Sequence, residues 1–75
     1  MANAVGKALE ILSRIGENPE QPTLLGDLAE QLGFNQSTCA CILKTLVEYG
    51  FVDQASPRKG YTLGPMAYYI ARHGA

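Results

Sequence analysis

Apolar positions recur along this chain at a helical spacing, switch once to an alternating one, and then return to the helical spacing. From Ala4 to Ile15 the stripe Val5, Ala8, Leu9, Leu12 and Ile15 falls at i, i+3, i+4, i+7 and i+10, with Ile11 at its margin. This predicts an amphipathic helix. Lys7, Glu10 and Arg14 take the wet side at spacings that suit ion pairs. Gly16 is expected to end the helix, and Pro19 and Pro22 keep the following loop from continuing it. Thr23-Leu24-Leu25 reads as a brief extended segment. A short second helix, Asp27 to Leu32, is expected behind Gly26 as N-cap, with Leu28, Ala29 and Leu32 facing in and Gly33 as the stop.

A third helix is the best defined. Asn35 suits its N-cap, Phe34 a hydrophobic staple onto Cys39, and Gly50 the left-handed residue beyond its end. Cys39, Ile42, Leu43, Leu46 and Val47 share one side; Ser37, Cys41, Lys44 and Glu48 occupy the opposite one, flanked by Ala40 and Thr45. After Gly50 the period falls to 2: Phe51 and Asp53 alternate with Val52 and Gln54, and Tyr61-Thr62-Leu63 forms a second strand. The loop between them carries Arg58 and Lys59 side by side. Pro65, suited to a first helical turn, opens a last helix to His73, with Met66, Tyr69, Ile70 and His73 along one side.

Two helices joined only by Gly33 and Phe34, with small Ala29 allowing close approach, make a helix-turn-helix. Adding the first helix and the hairpin gives a mostly α fold with a small β-hairpin: a winged helix-turn-helix with a three-helix core, a wing of two strands or three if Thr23–Leu25 joins, and a C-terminal linker helix. Residues 1–64 form the domain and 65–75 the linker segment.

Composition narrows the chemistry. A chain of 75 residues is one small domain, and its 47% apolar content favours a packed core over disorder. A net charge of −1 argues against an indiscriminate polyanion binder but not against locally clustered charge. Cys39 and Cys41, two positions apart on a helix, point to different sides and are poorly placed to share a metal. No metal or other cofactor is expected, and with no disulfide framework a reducing cytoplasm is the natural compartment. No signal peptide is visible, and no stretch approaches the ~20 apolar residues that span a membrane. No paired-carboxylate or Cys/His constellation shares a face, so an enzyme is not expected.

The motifs KALEIL (Lys7–Leu12), DLAEQLGFNQST (Asp27–Thr38), ILKTLVEYGFV (Ile42–Val52) and YTLGPM (Tyr61–Met66) resemble the N-terminal domain of the IclR family of bacterial transcriptional regulators. The resemblance runs from Val5 to Ala71. It implies a homodimer bound to double-stranded DNA at a pseudo-palindromic operator, with the helix about Gln36–Tyr49 in the major groove. It also implies a separate C-terminal domain, absent from this chain, that binds a small-molecule effector. The segment matching Pro65–His73 then belongs to the linker and dimer-forming region, through Met66, Tyr69 and Ile70. Family members often carry Arg where this chain has Cys41 and Thr62, and Ser or Thr where it has Gly26.

The expected DNA-binding set is Gln36, Ser37, Thr38, Ala40, Cys41, Lys44 and Thr45 on the helix and Arg58 and Lys59 on the wing. Gln36, Ser37 and Thr38 suit phosphate at the helix N-terminus, or, for Gln36, an adenine edge. Lys44 suits phosphate or guanine, and Glu48, which repels phosphate, either lies clear of the backbone or reads a cytosine amino group. Arg58 and Lys59 suit phosphate or the minor groove. The bland counterparts are a solvated helix face and a solubilising turn. The alternative function is a winged-helix protein-interaction or dimerisation module with little DNA binding, its partner surface being the Met66–Ile70 helix.

Overall fold

The computed structural model describes residues 3–54 and 60–74. Its elements run α1 (Ala4–Glu17), α2 (Leu25–Leu32), α3 (Gln36–Glu48), β1 (Val52–Gln54), β2 (Tyr61–Leu63) and α4 (Pro65–His73). The strands pair antiparallel, Val52 opposite Leu63, Asp53 opposite Thr62 and Gln54 opposite Tyr61. The expected winged helix-turn-helix is the fold observed. Arg58 and Lys59, with the rest of the hairpin tip, lie outside the described residues.

One core joins the helices to the wing. Ile11 and Ile15 of α1, Leu28 and Ala29 of α2, Cys39 and Leu43 of α3, and Val52 of β1 are buried together. Leu12, Leu25, Leu32, Phe34, Ile42, Leu46, Tyr61 and Leu63 pack around them. Val52 plugs the wing into this core, which fixes the hairpin beside α3.

Both helices of the helix-turn-helix stop in the same way. Gly33 (φ 72°) and Gly50 (φ 82°) adopt the left-handed conformation that costs other L-residues ~1–2 kcal/mol. After each, a phenylalanine N–H reaches back five residues: Phe34 to the Ala29 carbonyl at 2.8 Å and Phe51 to the Leu46 carbonyl at 2.9 Å. These are Schellman closures, and they satisfy carbonyls that a helix end otherwise leaves open. The Gly33 turn sets α3 against α2, and the Gly50 turn sends the chain into β1.

Five sequence expectations need correction. Helix α1 continues through Gly16 to Glu17 and is capped by Asn18. The residue before a proline is disfavoured in the helical region, so the stop is set by Pro19 rather than by Gly16. Its buried side is also rotated. Ile11, expected at the margin, is fully buried, whereas Val5 and Leu9 are 69% and 58% exposed. At ~100° per residue the apolar arc from Ile11 to Leu9 spans about 160°, wider than the core can cover, and the core takes the Ile11–Ile15 edge. The ion pair formed is Arg14–Glu17, at 3.8 Å, rather than Lys7–Glu10 or Glu10–Arg14.

Helix α2, finally, begins at Leu25, with Leu24 as a cap that offers no side-chain hydrogen bond. Leu25 packs against the core, and that burial favours an earlier start than Gly26 alone signals. Of the proposed third strand only Thr23 pairs. Its N–H donates to the Tyr61 carbonyl at 2.9 Å, and its carbonyl accepts from the Tyr61 N–H at 2.8 Å.

Candidate nucleic-acid interface

Helix α3 is held from both ends and from one side. At its start Asn35 is extended, and its Oδ1 accepts from the Ser37 N–H at 2.8 Å and from the Ser37 hydroxyl at 2.6 Å. On the inner side Cys39 and Leu43 are fully buried, with Ile42 and Leu46 half-buried beside them. Burial pushes the Cys39 thiol above its ordinary value, so it stays protonated and acts as a small hydrophobe. Val47, expected inward, is 37% exposed near the end of the helix.

The other side is open. Ser37, Cys41, Lys44 and Glu48 are all exposed. At ~100° per residue they fall within about 60° of arc, a narrow row running the length of the helix. Gln36 and Thr45 are exposed at its borders, and Thr38 and Ala40 are half-buried. The Thr45 hydroxyl donates to the Cys41 carbonyl at 3.3 Å, which turns its proton back onto the helix. Helix α3 therefore presents small and polar groups on a straight rod about 20 Å long. The major groove, about 12 Å wide, admits such a rod.

The neighbours of this row come from elsewhere in the chain. On one border lies α2: Gln36 Nε2 would stand 3.8 Å from a Cβ placed on Gly26. On the other lies the N-terminal half of α1. A hollow of about 390 Å³ there is lined by Ala4, Lys7, Ser37, Thr38, Cys41 and Ile42. Lys7 thus stands next to the start of α3, its Nζ 5.6 Å from the centre of the Phe34 ring. Sequence reasoning placed Lys7 on the wet side of α1 but did not connect it to α3. The connection is one of helix packing, and no local spacing in the sequence carries it.

A second hollow, about 400 Å³, continues along α3 between Val5, Ala8 and Leu9 of α1 and Cys41, Ile42, Thr45 and Leu46. It is where the unused edge of the α1 arc comes to rest. Helix α4 lies apart, tied to the end of α3 by the Met66 N–H bond to the Gly50 carbonyl at 2.9 Å. Met66, Tyr68, Tyr69 and Ile70 are exposed on it.

The sequence profile of the IclR helix-turn-helix domain matches residues 4–56, most of the chain. The chain belongs to the IclR family. Its fold is similar over 100% of its length to an IclR transcriptional regulator from Alicyclobacillus acidocaldarius, with TM-score 0.89 and 28% identity. It is similar over 96% to HmgR of Pseudomonas aeruginosa, with TM-score 0.82 and 26% identity. A protein assigned as an IclR transcriptional regulator from Silicibacter sp. matches over 96%, with TM-score 0.79 and 32% identity. The chain spans only 30%, 29% and 28% of the length of these three proteins. No curated protein sequence matches it. As an IclR helix-turn-helix domain it falls in the class of DNA-binding modules of transcription regulators, which is not a class of enzymes. No helix among the described residues is long and apolar enough to cross a membrane.

Proposed function

We propose that this domain binds double-stranded DNA sequence-specifically as part of a bacterial IclR-like regulator, with α3 in the major groove. The observation that carries this reading is the open row Ser37, Cys41, Lys44 and Glu48 on the second helix of a helix-turn-helix, opposite a fully buried Cys39–Leu43 side. Gln36, Thr38, Ala40 and Thr45 border the row and complete the contact set. Lys44 and Lys7 supply cations on α3 and beside its start, and Arg58 and Lys59 on the wing add phosphate or minor-groove contact.

The unit that binds is a homodimer on a pseudo-palindrome, its two α3 helices one or more DNA turns apart, each turn about 34 Å. Helix α4 supports this arrangement: Met66, Tyr69 and Ile70 leave an apolar side uncovered at the end of the domain. Residues 65–75 thus act as a linker and dimerisation helix after the 1–64 domain. The effector-binding domain that family membership implies lies outside this chain, and the regulator works in the cytoplasm.

Selection of bound duplexes from a random pool by the full-length protein tests the reading, and a recurrent pseudo-palindromic motif is the expected result. Six to eight phosphate contacts per dimer predict roughly a thousandfold to ten-thousandfold loss of affinity between 50 and 200 mM salt. A salt slope near zero, with salt-insensitive self-assembly and no motif recovered, would instead favour a protein-interaction module built on α4.

A further inference from the structure

The hydroxyl of Ser37 has a fixed polarity. Asn35 Oδ1 accepts from the Ser37 N–H at 2.8 Å, which identifies that atom as the oxygen of the amide. The same oxygen lies 2.6 Å from Ser37 Oγ, and two oxygens at that distance require a proton between them. A side-chain amide oxygen only accepts, so the proton belongs to Ser37. With its single proton held by the cap, Ser37 offers the outside only lone pairs.

A phosphate oxygen is also an acceptor, and two acceptors brought together repel. Phosphate at this end of α3 is better served by Lys7, which lines the same hollow as Ser37. Farther along α3, the hydroxyl of Thr45 is likewise committed to a backbone carbonyl. The donors that the major groove offers to an acceptor are the exocyclic amino groups, N4 of cytosine and N6 of adenine.

We propose that Ser37 is a base-reading residue that accepts a hydrogen bond from the exocyclic amino group of cytosine or adenine in the major groove, and that Asn35 is the positioning residue that sets this polarity. The inference rests on the DNA-binding reading above and departs from the expectation that Ser37 contacts phosphate.

The test compares the wild-type protein with the variants Ser37→Ala and Asn35→Ala, each checked for helical content by circular dichroism. Duplexes are first selected by the wild type. In the recovered motif one base pair per half-site should lose its preference in Ser37→Ala, by about 2- to 10-fold, the worth of one neutral hydrogen bond, while the other positions keep theirs. Replacing that base by an analogue lacking the amino group, 2′-deoxynebularine for adenine or 2-pyrimidinone deoxyriboside for cytosine, should weaken the wild type and leave Ser37→Ala unchanged. Asn35→Ala frees the Ser37 proton and should relax the preference at the same base pair. A loss in Ser37→Ala that is equal for every sequence marks a phosphate contact and overturns the proposal. No change in Ser37→Ala overturns it too. Failure of the wild type to select any motif overturns the DNA-binding reading itself, a result distinct from either.

Discussion

Helices α1 and α3 are both amphipathic, yet their two sides are divided differently. In α3 the arc that is covered spans about 100°: Cys39 and Leu43 are buried, Ile42 and Leu46 flank them, only Val47 at its edge is left 37% exposed, and the opposite side is polar and open. In α1 the apolar arc is too wide for the core. Ile11 and Ile15 are buried, while Val5 and Leu9 remain exposed along a hollow shared with α3. A narrow stripe specifies its own rotation. A wide one states only which residues tolerate burial, and the partners decide which of them receive it.

Core truncations should separate the two edges of α1 most strongly. Ile11→Ala is expected to cost about 2–5 kcal/mol in urea unfolding, and Leu43→Ala on α3 a similar amount, because each leaves a cavity in a closed core. Leu9→Ala should change stability by no more than about 0.5 kcal/mol, as an exposed position does. Equal losses for Ile11→Ala and Leu9→Ala would mean that α1 buries its whole arc.

The helix stops offer a smaller contrast. Gly33→Ala places a methyl in open space and should cost about 1 kcal/mol for the left-handed backbone alone. Gly50→Ala meets Met66 Cγ at 3.0 Å as well, so it should cost more, about 2 kcal/mol, and should disturb the seating of α4. Equal midpoints for the two variants would show that Met66 yields freely.

The smallest effect is one of pH. Cys39 has its thiol pushed up by burial, so the unfolded chain gives up that proton first as pH rises. The unfolded state then binds fewer protons than the folded one, and stability falls. The contribution is whole below the ordinary thiol value of 9.0 and drains away above it. Cys39→Ala should lessen the alkaline decline in denaturation midpoint between pH 8 and 10; an unchanged slope would assign that decline to other groups.

Much of this fold is legible locally. Asn35, the Gly33-Phe34 and Gly50-Phe51 stops, and the change of period at Val52 each announce themselves within a few residues, because caps and left-handed turns depend on near neighbours. The early start of α2 was not legible, because Leu25 owes its helical place to burial in a core assembled from distant segments. Of the candidate interface, the α3 row could be read from spacing alone. Lys7 could not, since it comes to line one hollow with Ser37 and Thr38 only through the packing of α1 on α3. Nor could the direction of the Ser37 hydroxyl bond, which depends on how the Asn35 amide is turned.

Cys41 gives the most direct test, because it is an exposed thiol in the middle of the row proposed to enter the groove. The rate at which a maleimide alkylates Cys41 is to be measured in the free protein and in the complex saturated with its selected duplex, with buried Cys39 as the internal reference. The proposed docking predicts ready alkylation of free Cys41 and strong protection in the complex. Cys41 reacting equally fast with the duplex bound would contradict it, for the DNA would then be held by some other face.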